Sequence, residues 1–166
     1  MYIKTQRLEL KPIPQSCLGD LTELLTDEQV TESYMVPDFP DAAAAVNLAL
    51  RLIAASRRAR PYLAGIFLED SFLGLINETE SGEDWIELGY AILPQYHNQG
   101  YCTEALKGAV SRFLEEYREV VVGAFDWNKA SIRVMEKAGL EPLERSDTVE
   151  YRGKIHTCVY YSAKRR

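Results

Sequence analysis

The stretch Trp85-Ile86-Glu87-Leu88-Gly89-Tyr90-Ala91-Ile92-Leu93-Pro94-Gln95-Tyr96-His97-Asn98-Gln99-Gly100-Tyr101-Cys102-Thr103-Glu104-Ala105-Leu106 decides how this chain folds. Its first part, Trp85–Leu93, reads as a strand that ends at Pro94. Beyond the turn the period changes, because Leu106, Ala109, Val110, Phe113, Leu114 and Tyr117 recur at helical spacing and mark one buried face. The linking turn, Gln95 to Thr103, sets its backbone N–H groups at the positive end of the helix macrodipole. Gly100 permits close backbone approach. Such a turn can bind a diphosphate through amides, with no basic side chain. A plainer reading is that Gly100 only begins a helix.

Working outward, Val120–Phe125 is a short, fully apolar strand. A strand, a helix and a second buried strand form a right-handed crossover, so Trp85–Leu93 and Val120–Phe125 are expected to run parallel. Upstream, Tyr62–Leu68 and Phe72–Glu78 precede Trp85–Leu93 with turn compositions between them, an antiparallel meander. Ile3–Ile13 reads as the first strand, Leu18, Leu21, Leu24 and Leu25 as a helix, and Tyr34–Pro40 as a loop. Asp41 opens a second helix along Val46, Ala49, Leu50, Ile53 and Ala54. Downstream, Asn128 caps a helix that runs through Met135 to Gly139, and two strands, Glu141–Val149 and Ile155–Ala163, turn at Arg152-Gly153. The result is an α+β fold in one domain, residues 1–166: a mixed, mostly antiparallel sheet of seven strands, about four helices, and a central parallel pair. Where such a pair parts at its carboxyl ends, a crevice opens and the next helix points its amino end into it.

Composition narrows the function. With 46% hydrophobic and 27% charged residues, the chain has the balance of a globular protein rather than a disordered one. A net charge of -6 argues against a nucleic-acid groove or an anionic membrane as partner and leans toward an amine-bearing substrate, although acidity for solubility alone explains it too. Cys17, Cys102 and Cys158 are far apart, with no CxxC and no histidine at ligand spacing, so no metal is expected and a reducing cytoplasm is the simplest setting. No apolar run has the length of a membrane span, and Met1–Arg7 lacks the apolar stretch of a signal peptide.

Tyr96-His97-Asn98-Gln99-Gly100-Tyr101-Cys102-Thr103-Glu104-Ala105-Leu106 resembles the coenzyme A diphosphate signature of the GNAT superfamily of N-acetyltransferases, in the RimJ/RimL ribosomal-protein branch. Asn128-x-x-Ser131-x-Arg133-Val134-Met135-Glu136-Lys137-Ala138-Gly139-Leu140 is similar to that branch's second signature, and Thr5-x-Arg7-Leu8-x-Leu10 to its opening. The likeness extends over nearly the whole chain and implies the GNAT fold. Three positions depart from the family pattern, which favours Arg or Gln at His97, Gly at Asn98, and Ala or Gly at Cys102. Asn98 must then adopt a turn conformation that glycine accepts more easily, though asparagine tolerates it well.

The resemblance implies transfer of an acetyl group from acetyl-CoA to a primary amine, a protein N-terminus or a small molecule, by direct attack in a monomer or homodimer. It implies a cofactor site at His97, Asn98, Gln99, Gly100, Tyr101, Cys102 and Thr103, with backbone amides of Tyr90, Ala91 and Ile92 polarising the thioester on a splayed strand. Asn128 and Ser131 would flank the thiol, although both can serve as plain helix caps. Glu87 is the first choice for the base, with an exposed strand carboxylate as the plain alternative; Glu78 and Glu83 are rivals. Many relatives place a tyrosine acid where this chain has Met135, which has no proton to give; the Ser131 hydroxyl could hydrogen-bond the sulfur instead. Lys107, Arg133 and Lys137 could reach the cofactor's phosphates but read first as a solvated helix face, and Glu104 reads as a helix cap. Substrate contacts are expected from Tyr34–Pro40 and the second helix, with Asp38 and Asp41 facing an ammonium. Two other readings remain: a non-catalytic acyl-CoA-binding module, and a hydrolase built on Cys102 with His97 or His156.

Overall fold

The apolar alternation along the chain becomes one mixed sheet of eight strands in the computed structural model, which describes residues 1–166. In chain order the elements are β1 (Ile3–Lys4), β2 (Leu8–Lys11), α1 (Leu18–Thr26), α2 (Glu28–Thr31), α3 (Ala42–Ala55), β3 (Leu63–Leu68), β4 (Ser71–Ser81) and β5 (Trp85–Ile92). They continue with α4 (Tyr101–Phe113), β6 (Glu119–Phe125), α5 (Lys129–Lys137), β7 (Glu141–Tyr151) and β8 (Lys154–Lys164). The strand order across the sheet is β1-β2-β3-β4-β5-β6-β8-β7.

The eighth strand corrects the expected seven. Ile3–Ile13 is not one strand, because the chain reverses at Thr5, whose amide donates to the Leu8 carbonyl at 2.9 Å while its hydroxyl accepts from the Leu8 amide at 3.0 Å. Ile3 then pairs with Leu10 across the turn. The fifth helix, α2, is short and was hidden inside the first helical region; Asp27 starts it by accepting from the amides of Gln29 and Val30. Asp41 and Asn128 cap α3 and α5 in the same way, as their sequence positions suggested.

Two apolar layers clamp the sheet. On one face α4 buries Ala105, Leu106, Ala109, Val110 and Phe113 against Ile86, Leu88 and Val122. On the other, α1 and α3 bury Leu21, Leu24, Ala49 and Ile53 against Leu63, Phe67 and Leu75. A fully buried side chain of this size contributes about 1.5–3 kcal/mol, so these layers hold the sheet rigid. The T-shaped pair of Tyr62 and Phe113, centroids 4.9 Å apart, ties β3 to α4.

All neighbouring strands run antiparallel except β5 and β6. That parallel pair holds from Trp85↔Glu119 to Leu88↔Val122 and stops there. Gly89 and Gly123 are the first residues past the last pair, so the strands part four residues earlier than Leu93, where the apolar runs end. Each parted strand keeps its other neighbour: β5 stays paired to β4 through Gly74↔Ile92, and β6 to β8 through Phe125↔Cys158.

Gly74 lies where β4 holds the parted half of β5, and a Cβ there would overlap the Ala91 carbonyl oxygen. Gly74→Ala is expected to cost about 2 kcal/mol or more, because the obstacle is backbone and cannot swing away. Denaturant unfolding should show a lower midpoint; an unchanged midpoint would mean that β4 and β5 are not in this close register.

Candidate active site

Past Leu88 the edge of β5 that faces β6 is unpaired. The Leu93 amide donates to the Leu73 carbonyl on the β4 side at 2.8 Å, so by the alternation of an antiparallel ladder the backbone groups of Ala91 face β4 while those of Tyr90 and Ile92 face the gap. Of the three amides expected to polarise a carbonyl, Tyr90 and Ile92 are therefore available. Ala91 is not, and contributes only its side chain to the lining. The gap opens into a cleft of about 840 Å³.

One wall of the cleft is the amino end of α4. Asn98 and Gly100 both take left-handed backbone conformations, φ 58° and 78°, which curl the turn so that its amides converge. None of the six successive amides from Asn98 to Thr103 donates a hydrogen bond within the chain. Unsatisfied donors at a helix amino terminus, aided by the macrodipole, form an anion cradle. Asn98, Gly100, Cys102 and Thr103 line the cleft, whereas Gln99 and Tyr101 direct their side chains elsewhere. The Gln99 side chain donates to the Gln95 carbonyl, and the Tyr101 ring packs on Tyr96 and beneath Arg7. His97 Nε2 sits 2.8 Å from the Ile92 carbonyl oxygen, tying the turn to the parted strand.

The cradle is braced from the far edge of the sheet. Glu104 accepts from the Thr5 hydroxyl at 2.6 Å, the Arg7 amide at 2.7 Å and Arg7 Nε at 2.6 Å, and Arg7 Nη1 reaches on to the Gln99 carbonyl at 3.2 Å. Burial alone would raise the Glu104 carboxyl, but these hydrogen bonds and the Arg7 charge hold it below its usual range. Thr5 and Arg7 thus act on the turn nearly a hundred residues away, and Glu104 is a brace rather than a cap.

Glu87 occupies the opposite face. Its side chain is 16% exposed, Oε1 accepts from the Thr79 hydroxyl at 3.0 Å, and Oε2 is buried with no hydrogen-bond partner. Arg145 approaches Oε2 at 3.8 Å but is spent on Asp147 at 3.1 Å and on the Tyr160 ring, 3.9 Å from its centroid. Burial raises the Glu87 pKa, with Glu80 and Asp147 adding to the rise, against the Thr79 hydrogen bond and the Arg145 charge. Glu78, a rival from the sequence, is engaged: burial pushes its carboxyl up, but Ser81, the Tyr62 amide and Arg60 bond it and hold it below the usual range. Glu83 is exposed in a turn outside the cleft.

Other expectations are corrected by position. Asp41 is spent capping α3, Asp38 is exposed, and neither reaches the cleft; its mouth is made by α2 and by Tyr34 and Met35. The second helix, α3, does not line it. Asn128 Oδ1 accepts from the Ser131 amide at 3.2 Å, so this residue caps α5 while lining the cleft. Arg133 and Lys137 line the cleft as exposed cations; Lys107 lies outside it. Cys102 is no activated nucleophile: it packs against the core, and burial pushes its thiol up to about 12. With His97 Nε2 on the Ile92 carbonyl, His156 Nδ1 accepting from Trp127 Nε1, and neither ring hydrogen-bonded to Cys102, the hydrolase reading lacks a thiol–histidine pair. Sequence reasoning missed Thr79, Arg145 and Tyr160 around Glu87, and the Tyr34 hydroxyl that donates to Asn77 at 3.0 Å. Their only sequence signal was the alternation that puts Asn77 and Thr79 on one face of β4.

Residues 7–141 match the family model described as "Acetyltransferase (GNAT) domain". No curated protein matches the chain by sequence. Among solved structures, a GNAT-family acetyltransferase from Bacillus anthracis superposes with a TM-score of 0.85 at 22% identity, covering 99% of each chain. RimL, the ribosomal L7/L12 alpha-N-protein acetyltransferase, in complex with coenzyme A, gives 0.83 at 17% identity over 99% of this chain and 98% of that one. The microcin C7 self-immunity acetyltransferase MccE, with acetyl-CoA and AMP, gives 0.80 at 14% over 96% and 93%. At such identities the likeness is one of fold.

Arg7→Ala would remove the brace on the Gln99 carbonyl and loosen the Asn98–Thr103 turn. Calorimetry with coenzyme A should show binding weakened about tenfold, since the amides must then be ordered at the moment of binding. Unchanged affinity would show that the cradle holds its shape without the brace.

Proposed function

The chain belongs to the GNAT acetyltransferase family and is an acetyl-CoA-dependent N-acetyltransferase; from that premise we propose that residues 1–166 act as one domain that acetylates a primary amine, a peptide N-terminus or a small molecule, with Glu87 as the base. One observation carries the reading: two neighbouring parallel strands part at Gly89 and Gly123 beside six unused amides. A diphosphate fits that cradle because it accepts from several convergent N–H groups without needing a buried cation. Asn98, Gly100, Cys102 and Thr103 would hold it from the lining, with the amides of Gln99 and Tyr101 completing the run, and Arg133 and Lys137 would add positive charge along the cleft. Asn128 fixes the start of α5 and presents Ser131 to the gap.

Bound acetyl-CoA supplies the acetyl group as a thioester. The Tyr90 and Ile92 amides, unpaired at the edge of β5, are placed to donate to a carbonyl oxygen in the gap, where an amide in a dry site counts for more than in water. Glu87 Oε2, buried and without a hydrogen-bond partner, accepts a proton from the incoming ammonium, directly or through one water. A non-catalytic binding module would leave that costly orphan oxygen unexplained. The acceptor enters on the Glu87 face, past Tyr34 and Asn77. The acidic balance of the chain favours a cationic acceptor, and RimL, a protein acetyltransferase of this fold, makes a peptide N-terminus a first choice for testing. The three unpaired cysteines favour a reducing cytoplasm. No helix is long and apolar enough to cross a membrane.

Two outcomes test the reading, using an amine panel followed by thiol release. Glu87→Gln should lower kcat about a hundredfold and leave the acetyl-CoA dissociation constant unchanged, the scale of a lost general base. Turnover at the wild-type rate would remove Glu87 from the mechanism. The base works ionised, so activity should be full at high pH and fall as pH drops through the Glu87 pKa. Because burial raises that pKa, the acid limb of kcat/KM should lie above the ordinary glutamate value of about 4.3. A limb at or below that value would contradict the assignment.

A further inference from the structure

Resting on the acetyl-transfer reading above, we propose that the Tyr90 hydroxyl, coupled to Ser131, is the hydrogen-bond donor that meets the sulfur as it leaves. The alternation of β5 divides the gap between the two faces of the sheet. Leu88, Tyr90 and Ile92 pack with the layer that holds α4 and α5, while Ala91 and Leu93 belong to the layer of α1 and α3. Glu87 is in phase with Ala91 and not with Tyr90. The carboxylate and the phenol therefore flank the same opening from opposite sides. The amide cradle at the start of α4 lies on the phenol side, and Tyr34 and Asn77 on the carboxylate side.

With the diphosphate in the cradle, the arm of acetyl-CoA enters the opening from the phenol side, so the thioester sulfur lies on the side where Tyr90 stands while the amine adds to the carbonyl from the Glu87 side. The phenol oxygen is 2.7 Å from Ser131 Oγ and 3.3 Å from the Ser131 carbonyl oxygen. If Tyr90 donates to Oγ, the Ser131 proton is left over. If Ser131 donates instead, the phenol proton has only the long contact to the carbonyl and can turn into the gap. Either arrangement keeps one O–H for a ligand. Both residues are half-buried and line the cleft. Met135, the other position on α5 that the sequence brings into question, is fully buried in the core.

Burial, reinforced by the nearby Cys102, raises the Tyr90 phenol far above its ordinary value against the Ser131 hydrogen bond, so it stays protonated and acts as a donor, not as an acid. The charges balance on that basis. The carbon–sulfur bond breaks with its electron pair on sulfur, which leaves as a thiolate held by the hydroxyl. The ammonium sheds two protons in becoming an amide N–H: Glu87 takes one, and the other passes through solvent and reprotonates the thiolate.

The test needs no acceptor amine. The thiol of coenzyme A bound to the enzyme is titrated by thiolate absorbance, against a complex with desulfo-coenzyme A that subtracts the tyrosines of the protein. Tyr90→Phe should raise the pKa of the bound thiol by about one unit relative to wild type, the scale of a lost hydrogen bond to a charged form. Ser131→Ala should shift it the same way by less, because Tyr90 remains. Calorimetry on the same samples should give coenzyme A affinity at pH 7 within twofold, since the neutral thiol gains little from the donor. A bound thiol that titrates identically in wild type and Tyr90→Phe would overturn the proposal while leaving the acetyltransferase reading intact. Failure of the wild type to bind coenzyme A would overturn both.

Discussion

The parting of β5 from β6 is the constraint on which the rest depends. A sheet normally pairs its strands to the end, because an unpaired buried amide costs about 1–3 kcal/mol. Here the pairing stops at Leu88↔Val122, and the open edges survive because each strand is still held on its far side, β5 by β4 and β6 by β8. Gly123 lies beside the gap: the Tyr160 ring lies over it, and a Cβ there would come within 2.9 Å of Tyr160 Cε1. Tyr160 in turn carries Arg145, projected from the irregularity in β7 between Pro142 and Ser146. The ring beside the opening thus also sets the charge near Glu87.

From this opening the chemistry divides between two faces. The face with α4 and α5 offers amides and hydroxyls, joined at the cleft by the cations Arg133 and Lys137 of α5, which suit a bound diphosphate and a departing sulfur. The face with α1 and α3 offers a carboxylate whose ionised form is penalised by burial, which suits the capture of a proton. The amides of Tyr90 and Ile92 lie between them. This separation suits a highly anionic ligand on an acidic protein, since the carboxylate and the cradle reach the cleft from opposite faces of the sheet.

What was legible in the sequence was local in the chain. The strand, turn and helix of Trp85–Phe113 follow from a change of apolar period, and the left-handed Asn98 was implied by the resemblance, which has glycine at that position. The crossover to Val120–Phe125 fixed the parallel pair, because only one handedness packs well. The resemblance put Tyr90–Ile92 on a splayed strand, but the point of splay was not legible in the residues themselves: apolar runs continue to Leu93 and Phe125, and nothing local says that pairing stops at Leu88 and Val122. The surroundings of Glu87 were hidden for a similar reason, since Arg145 reaches it only through the register of β7 on β8 and of β8 on β6. Ser131 stood out by its motif, but its partner Tyr90 lies 41 residues away and is joined to it by packing alone. Asp41 misled, because an acidic residue before a helix is first of all a cap, and Asp38 because it is simply exposed in its loop.

The cradle itself is open to direct inspection by amide NMR. Labelled protein titrated with coenzyme A should show the amide protons of Asn98, Gly100, Cys102 and Thr103 moving downfield together as they gain an acceptor, with Tyr90 and Ile92 perturbed by the pantetheine arm. Saturable binding that leaves the Asn98–Thr103 amides unmoved would contradict the claim that a diphosphate sits at the parted strands.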